Sequence, residues 1–586
     1  MARVIVKTFG DCRKTPKITL FKSLPRRRES IYKRVMDSRL PGCCKFGSNP
    51  ESRATSPISL DGEGQGDGVK CCIINPPSLC LSPPRGREDY ILSYVLFFCN
   101  SLLRGNDLFY LFRQSFEVLK SSKICLLILV FCTNLHAQLS FKNHLEWTDW
   151  HDYDRRIWEN WTDVAYQWHG AQLGGRYEIN YPPDPFIYPQ DSLLKQFDLT
   201  FLYAEYDTKN WNLRAGNFYS MFGRGLVLRT YEDRNLRVDN NILGGKVEYH
   251  DDIFYVKALA GQMRDRYNRR GDTVYGGDIE VNPVSFLQLG ANYLYQTNPE
   301  GYSSSIGAAR MNWLWSWGDL YAEFARPEGT NRYSSYMGFT GAAGDFTFTV
   351  EYKNYNHLAF KNKYGTEYSA PPALTREHTF SLLNRHPHAL NLDDEQGYQL
   401  EVTWFSTTTW DVIANHSKTL SHKKQRLFEE YYLESHNVFF DNKLETRLAG
   451  AWTFDFTTNT ENITSIIDPQ VVLSKRDLIH LSWQHQHTKN LLDLSEYDTE
   501  LLLIEYSRSP YGSLALVGEY TNQFKLNNIK MERHTWLYGQ LTLNFFNNQE
   551  LHILYGSRQA GFVCVGGICR YEPEFRGVEI RLVNRF

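Results

Sequence analysis

Four arginines and three acids lie close together in the stretch Gly216 to Asn241, called the inner segment below, where the chain departs from the pattern around it. These charged residues are Arg224, Arg229, Glu232, Asp233, Arg234, Arg237 and Asp239. A row of guanidinium groups at a narrow point of a pore favours anionic or carboxylated solutes, as rings of charge do in channels. Alternatively, the arginines pair with these acids and with acids of a surrounding wall, and so brace an inward-folded loop. Both interpretations require a larger framework around the segment.

A second group of candidate residues lies in the stretch His357 to Gln396, called the long loop below. Its candidate pore-lining side chains are Arg376, His378, Arg385, His386 and His388. His386 and His388 could bind a divalent metal ion together if both lay on one strand face, but no further ligand stands at a known spacing. We therefore expect no metal site and no cofactor. A loop of about 40 residues needs a functional reason, and this one is long enough to fold into a lumen as a constriction.

Catalytic signatures do not stand out in this sequence: it shows no G-x-S-x-G, P-loop or H-E-x-x-H motif. His480 and Ser482 share a strand face, but a water-filled barrel also places polar side chains on its inner face. We expect that the protein is not an enzyme. The formal net charge is −2, so the composition gives no indication of a nucleic-acid partner.

The framework is indicated by alternation of apolar and polar residues. Along Leu444 to Phe456 every second residue is apolar and the residues between them are mostly charged or small, which gives a strand one apolar and one polar face. We count about 24 such runs, with a range of 22 to 26. Short turns and longer loops alternate between them, as an up-and-down barrel requires. The predicted fold is therefore an all-β transmembrane antiparallel β-barrel with long extracellular loops.

Composition agrees with a barrel in a membrane. Aromatic residues make up 15% of the chain, including 37 Tyr and 14 Trp, while the mean hydropathy is −0.46. Tyr and Trp rings suit the two interfaces of a membrane barrel because each ring is apolar but carries one polar group, a hydroxyl or an N–H. The chain also ends on an aromatic residue, Phe586, which shares a strand face with Val578, Ile580 and Leu582. We expect the barrel-assembly machinery to read this terminus.

A secretion signal lies far from the N-terminus. Lys120 and Lys123 precede the apolar run Ile124 to Phe131, and the small residue Ala137 fits a cleavage point. Because signal peptides begin chains, we expect translation to start near residue 118. The alternative is a genuine cytoplasmic extension with a membrane helix, for which the apolar runs are short. The predicted organisation is a non-native or disordered extension over 1–117, a signal peptide over 118–137 and an outer-membrane barrel over 138–586.

Cysteine distribution marks the same division. Nine of the 11 cysteines lie in the first 132 residues, and only Cys564 and Cys569 lie beyond. This pair frames the sequence CVGGIC, whose glycines permit a tight reversal. In an oxidising envelope we expect a disulfide that stiffens a surface loop.

Three motifs suggest a family. The run GNFYSMFGRGLVLRTYEDRNL of the inner segment, PPALTREHTFSLLNRHPH at Pro371 to His388, and DDEQGYQLE at Asp393 to Glu401 resemble a family of uncharacterised Bacteroidota-type outer-membrane barrels. The resemblance spans the mature chain and none of the first 115 or so residues. It implies location in the bacterial outer membrane and a porin-like barrel, with no activity assigned.

Two functions are consistent with these observations. The first is a porin-like barrel that passes small hydrophilic or anionic solutes. The second is a structural or docking barrel plugged by its own loops. The expected partners are outer-membrane lipid, the assembly machinery and, for the first function, a small anionic solute.

Overall fold

One closed sheet dominates the computed structural model, which describes residues 138–183, 195–265, 267–385, 388–456, 458–526, 529–545, 548–565 and 568–586. Within these ranges 24 antiparallel strands form the sheet. Numbered β1 to β24 in chain order, they are Gln138–Trp150, Arg155–Trp168, Ala171–Tyr181, Phe197–Asp207, Trp211–Phe218, Ile242–His250, Phe254–Met263, Thr273–Val284, Leu287–Thr297, Ser303–Trp315, Gly318–Pro327, Ser334–Ala343, Phe346–Asn356, Asp394–Thr407, Trp410–Leu420, Arg426–Phe439, Leu444–Asp455, Thr460–Val472, Asp477–Asn490, Glu496–Arg508, Gly512–Thr521, Thr535–Phe545, Gln549–Arg558 and Phe575–Arg585.

The sheet closes because its last strand pairs with its first. β24 lies antiparallel to β1, with Lys142 opposite Arg585 and Trp150 opposite Gly577. The predicted all-β barrel and its predicted 24 strands are therefore confirmed. Closure pairs the backbone of every strand, which is the condition under which strands can cross lipid.

Smaller elements lie in the connections. Two 3-10 turns cover His151–Tyr153 and Leu383–Arg385. Short hairpins pair Glu232–Asp233 with Val238–Asp239, Lys525–Leu526 with Ile529–Lys530, and Gly561–Val565 with Ile568–Glu572. Among the described residues, no helix has the length and apolar character of a membrane span.

The outer face of the wall is apolar. On β20, Leu502, Ile504 and Tyr506 are 48%, 45% and 41% exposed, whereas the alternate residue Leu501 is 4% exposed. Aromatic rings gather where strands meet the short turns, and three tryptophans there stack in a row, Trp313, Trp315 and Trp317. An apolar band with aromatic residues at its edge is typical of a transmembrane barrel.

The longest connections all lie at the same end of the barrel. At one end, which we call the turn end, strands are joined by two to four residues, as between Trp315 and Gly318. At the other, the loop end, the connections reach from Phe218 to Ile242 and from Asn356 to Asp394. Both Gln138 and Arg585 lie at the turn end. The predicted alternation of short and long connections is confirmed.

The interior is filled at the loop end and open to solvent at the turn end. Inward residues of β17 show this, because burial deepens along the strand. Near the turn end the side chains of Glu445 and Arg447 are 37% and 35% exposed. Ala451 and Asp455, nearer the loop end, are 6% and 2% exposed.

Candidate functional site

Apolar residues of the inner segment fill the lumen beside strands β5 to β11. Phe222, Leu226, Val227 and Leu228 are completely buried. They pack in one cluster with wall residues and with residues of the long loop; the cluster includes Leu259, Val274, Leu294, Tyr355, Leu358, Tyr368 and Leu374. Water would occupy this space in an open pore, so the cluster acts as a core inside the barrel.

Backbone hydrogen bonds join the inner segment to the long loop. The amide of Arg229 donates to the carbonyl of Tyr368 at 2.8 Å, and the amide of Ala370 donates to the carbonyl of Gly225 at 3.0 Å. Gly225 has a φ of +88°, and a Cβ there would lie 2.8 Å from the carbonyl oxygen of Ala370. The joint therefore requires glycine, and the two segments form one body.

Charged residues of the inner segment contact the wall on its other side. Arg237 donates to both carboxylate oxygens of Glu159 on β2, with 2.5 Å between Nη2 and Oε2. The two side chains are 7% and 3% exposed. A bidentate pair of this kind fixes orientation as well as distance, so it ties the segment to β2.

Glu232 links the segment to β3. Its carboxylate lies 2.8 Å from Arg234 and 3.0 Å from Arg176. Arg234 also lies over the ring of Trp161, 4.4 Å from its centroid. Asp233 accepts a hydrogen bond from the amide of Leu236 and so shapes the turn.

The two remaining arginines point toward β11 and the long loop. Glu323 of β11 accepts a hydrogen bond from the amide of Arg224, whose guanidinium lies 5.0 Å from the ring centroid of Tyr321. The guanidinium of Arg229 donates to the carbonyl of Ala370 at 3.3 Å. Each of the four predicted arginines thus has a defined contact inside the barrel.

Burial shifts the acidity of groups in the inner segment. It lowers the pKa of Arg234 despite the nearby carboxylate of Glu232. It raises the pKa of Tyr231 to about 12. Both shifts reflect the loss of water around a segment that lies inside the barrel.

The long loop crosses to the far wall through polar contacts. Arg376 pairs with Glu401 on β14, and His378 Nε2 lies 3.0 Å from Glu430 on β16. The Leu382 amide donates to Gln484 on β19 at 3.0 Å. Arg385 donates to both carboxylate oxygens of Glu519 on β21, at 2.6 Å for Nη2. Although burial by itself lowers the pKa of Arg385, the carboxylate of Glu519 raises it above its usual value.

Apolar anchors accompany these polar contacts. Phe380 and Leu383 pack against Tyr432, Ala449, Ala451 and Ile466. Leu382 packs in a second cluster with Leu501, Val517, Tyr538, Leu554 and Phe575. The tip of the loop is therefore seated on strands β16 to β24.

The base of the long loop rests on a buried lysine. Lys353, which is 0% exposed, donates to the carbonyl of Ala373 and lies 3.3 Å from Glu395. His388 pairs with the same carboxylate. His386 lies outside the described residues. Within the described part of the chain, no group of three His, Cys, Asp or Glu residues could hold a metal ion.

Two further predicted sites lie outside the inner segment and the long loop. Cys564 and Cys569 stand directly opposite each other in the hairpin Gly561–Val565 with Ile568–Glu572, and their disulfide stays a prediction. Phe586 follows β24 and exchanges two backbone hydrogen bonds with Phe141 of β1, while the residue itself is 68% exposed. The predicted boundaries at residues 117 and 137 lie outside the described residues.

Sequence reasoning missed the apolar half of this site. The stretches Gly225 to Leu228 and Phe380 to Leu383 are the signal that could have found it, because several large apolar residues close together are unusual in a loop exposed to water. The sequence analysis predicted pairing with acids of the wall but did not identify Glu159, Glu430 and Glu519 as those acids, although alternation places them on the inner face.

Solved barrel structures resemble this chain at low sequence identity. The P pilus usher (PapC) translocation pore matches with 9% identity and a TM-score of 0.42, over 76% of this chain and 99% of that one. Pseudomonas aeruginosa OccK11 (OpdR) matches with 12% identity and a TM-score of 0.31, over 59% and 95%. Wzi, an outer-membrane protein involved in group 1 capsule assembly in Escherichia coli and described as a carbohydrate-binding β-barrel, matches with 9% identity and a TM-score of 0.29, over 60% and 81%.

Sequence comparison identifies a family without an assigned activity. No curated protein matches the chain. The model of a family of unknown function, DUF6029, matches residues 131–586. The chain therefore belongs to the DUF6029 family.

Proposed function

We propose that this protein is an outer-membrane barrel held closed by its own inner segment and long loop, and that it serves as a structural or docking barrel. The observation that carries the proposal is the joint between the two segments. Paired backbones and a fully buried apolar cluster lie where an open porin has water. A lumen filled in this way supports a resting state without solute flow.

Gated passage of small hydrophilic or anionic solutes is the second candidate. It is favoured by the turn-end half of the lumen, where charged side chains such as Glu445 and Arg447 are over one-third exposed. A solute entering there would meet the long loop, so passage would require that loop to move. Conduction at rest separates the two candidates.

The compartment belongs to the same proposal. The apolar outer face implies a lipid partner, and the bacterial outer membrane accommodates barrels of this kind. This proposal also includes export by the signal peptide over 118–137, recognition of Phe586 by the assembly machinery and an origin in Bacteroidota.

Planar-bilayer recording of the purified barrel tests the closed state. We expect the folded protein to insert without steady open-channel current and to leave liposomes impermeable to small sugars and to succinate. Steady current from the unmodified protein would refute the closed barrel and favour the second candidate. In-cell cross-linking then tests docking, for which recovery of one defined envelope partner is the expected result.

A further inference from the structure

An open groove of about 510 Å³ lies on the outer face of the wall, across strands β14 to β17. Its floor contains two small residues, Ala414 of β15 and Gly450 of β17, which flank Leu433 of β16 in register. Larger outward residues border the groove, and all of them are apolar or aromatic: Leu400, Val402, His416, Tyr431 and Trp452. Its volume lies in the range of ~300–1,000 Å³ that is usual for ligand pockets. The outer face therefore has a recess that can hold an apolar chain.

A row of aromatic rings borders the groove on the side of the loop end. His416 stacks on Tyr431 with ring centroids 4.3 Å apart, and the ring of Trp452 follows 5.9 Å from that of Tyr431. The Tyr431 hydroxyl donates to Glu429 at 3.1 Å. Trp452 Nε1 donates to Glu461 at 2.9 Å. Both acceptors lie nearer the loop end than the rings, so the polar groups of the rings point away from the groove. Rings in this orientation are typical of a membrane interface, and the row therefore marks the level at which lipid chains meet head groups.

Basic side chains gather beyond this aromatic row, where β15 turns into β16. Lys418 lies on the same face as His416, two residues nearer the loop end. Its ammonium lies 3.0 Å from the carboxylate of Glu429, and the guanidinium of Arg426 lies 3.8 Å from the same group. Two cations thus share one carboxylate at the head-group level.

The turn itself adds two lysines, Lys423 and Lys424. Both are exposed, and neither forms an ion pair within the part of the chain that the structure describes. Asp394 of β14, which borders the turn, already accepts from the amide of His422 at 2.7 Å and lies 2.7 Å from the ring Nδ1 of the same residue. With Glu429 and Glu461, three carboxylates stand against four basic side chains here. The turn is therefore positive even with a neutral histidine, and it lies beyond the end of an apolar groove.

We propose that this surface binds a phosphorylated lipid of the outer leaflet, with an acyl chain in the groove and the phosphate at the basic turn. Lysine ammonium groups bind phosphate as point charges, and basic side chains next to a membrane attract anionic lipid head groups. The charge of the turn and the apolar character of the groove match the two parts of such a lipid. The inference rests on the proposed location, in which the loop end faces the outside of the outer membrane.

Three probes separate the two parts of the site. The purified protein in neutral detergent is titrated with dioctanoyl phosphatidic acid, with dioctanoylglycerol, which lacks the phosphate, and with inorganic phosphate, which lacks the chains. Native mass spectrometry measures the bound fraction. We expect phosphatidic acid to bind at least about tenfold more tightly than either other probe. Equal binding of phosphatidic acid and either other probe, or no retained phosphatidic acid, would overturn the proposal. A protein dimer without bound lipid would assign the groove to a second copy of the chain and overturn it as well.

A charge variant locates the phosphate. Lys423→Gln with Lys424→Gln should weaken binding of phosphatidic acid roughly 10- to 30-fold, because each basic residue near a membrane surface contributes about fivefold. Lys475→Gln with Arg476→Gln is the matched control, since this exposed basic pair lies in a turn at the turn end, and it should not change binding. Unchanged binding in the first variant would refute the assignment of the phosphate.

A variant of the groove locates the acyl chain without a change of charge. An added Cβ at Gly450 would meet no atom nearer than the carbonyl oxygen of Thr464 at 3.6 Å, so Gly450→Leu fits the wall and fills the groove. We expect binding at least about tenfold weaker than in the parent protein. Gly277→Leu is the control on the outer face of β8, where an added Cβ would lie 3.9 Å from the carbonyl oxygen of Lys257. Unchanged binding in Gly450→Leu would place the chain elsewhere and refute the proposal.

Mass spectrometry of bound lipid does not depend on conductance. A conducting barrel that retains phosphatidic acid would therefore refute only the closed state. A closed barrel that does not bind phosphatidic acid would refute only the lipid site.

Discussion

The inner segment and the long loop both enter the lumen, but they are attached differently. The inner segment buries Phe222 and Leu226 to Leu228 completely, and its bidentate pair with Glu159 is almost entirely shielded. The far side of the long loop is held by Arg376 and Arg385, each 19% exposed, and by only three buried apolar side chains, Phe380, Leu382 and Leu383. A 240 Å³ cavity also lies beneath this loop.

This difference assigns separate roles to the two segments. Local stability follows the density of buried apolar contacts, so the inner segment belongs to the core of the fold. The far side of the long loop, with fewer buried apolar side chains and a cavity beside it, should open at lower free energy. Under the proposed function, the long loop is therefore the closing element, and the inner segment is its support.

Shortening the long loop should have the largest effect on conduction. Replacement of residues 375–391 by a short Gly-Ser linker removes the contacts with β14 to β21, because every one of those contacts lies in the deleted stretch. We expect a change from no steady current to open-channel current in planar bilayers, with the barrel still folded. Replacement of the loop-end connection over 522–534 by the same linker is the control and should stay closed. A variant that remained closed would assign closure to the inner segment.

Truncation in the inner segment should lower stability instead. Phe222→Ala removes a ring that is 0% exposed, and such a change costs ~3–5 kcal/mol in a packed core. We expect unfolding at lower temperature, followed by loss of heat-resistant migration on gels, without channel current below that temperature. Met221→Ala is the neighbouring control. Because Met221 is 46% exposed, this variant should unfold at the same temperature as the parent protein. Channel current from folded Phe222→Ala barrels would contradict this assignment of separate roles to the two segments.

The barrel was predictable from sequence because alternation with a period of two is a local property of each strand. Leu444 to Phe456 predicts strand β17 almost to the residue, Leu444–Asp455. The same alternation places Glu159, Glu430 and Glu519 on the inner face. It does not determine which arginine or histidine meets each carboxylate, since that depends on the path of the loops and on strand stagger around the barrel.

The filled lumen was harder to predict for a related reason. Apolar runs such as Gly225 to Leu228 show no strand or helix period, so they give no direction for their side chains. Their partners include residues of strands more than 30 residues away, such as Val274 and Leu294. The cavity beside His378 likewise results from loop and wall together, and neither sequence stretch contains it alone.

Loss of one ion pair between the long loop and the far wall should raise the open fraction of the barrel less than shortening of the whole loop does. Glu519→Gln leaves Arg385 without its carboxylate, and removal of one partner from a buried pair typically costs ~3–5 kcal/mol. Arg385 keeps a contact with Gln559 at 2.5 Å and some solvent exposure, so we expect about 2 kcal/mol against the closed loop. The measurement is the fraction of time that single barrels spend open, which should rise while the unfolding temperature barely changes. Arg385→Gln combined with Glu519→Gln should restore part of the closure, because no buried charge is then left unpaired.

The smallest effect is expected at Cys564 and Cys569, which occupy paired positions in a hairpin at the loop end. A disulfide that closes so short a loop stabilises by about 2 kcal/mol in the chain-entropy model, and only the hairpin gains from it. Replacement of both by serine should therefore leave both the unfolding temperature and the closed state of the barrel unchanged. Thiol alkylation of the exported protein gives the direct check, with reaction expected only after reduction. The hairpin begins close to the long loop, since a Cβ added to Gly561 would lie 3.9 Å from the Arg385 side chain. A rise in open time in the serine variant would therefore show that the hairpin helps to hold the long loop in place.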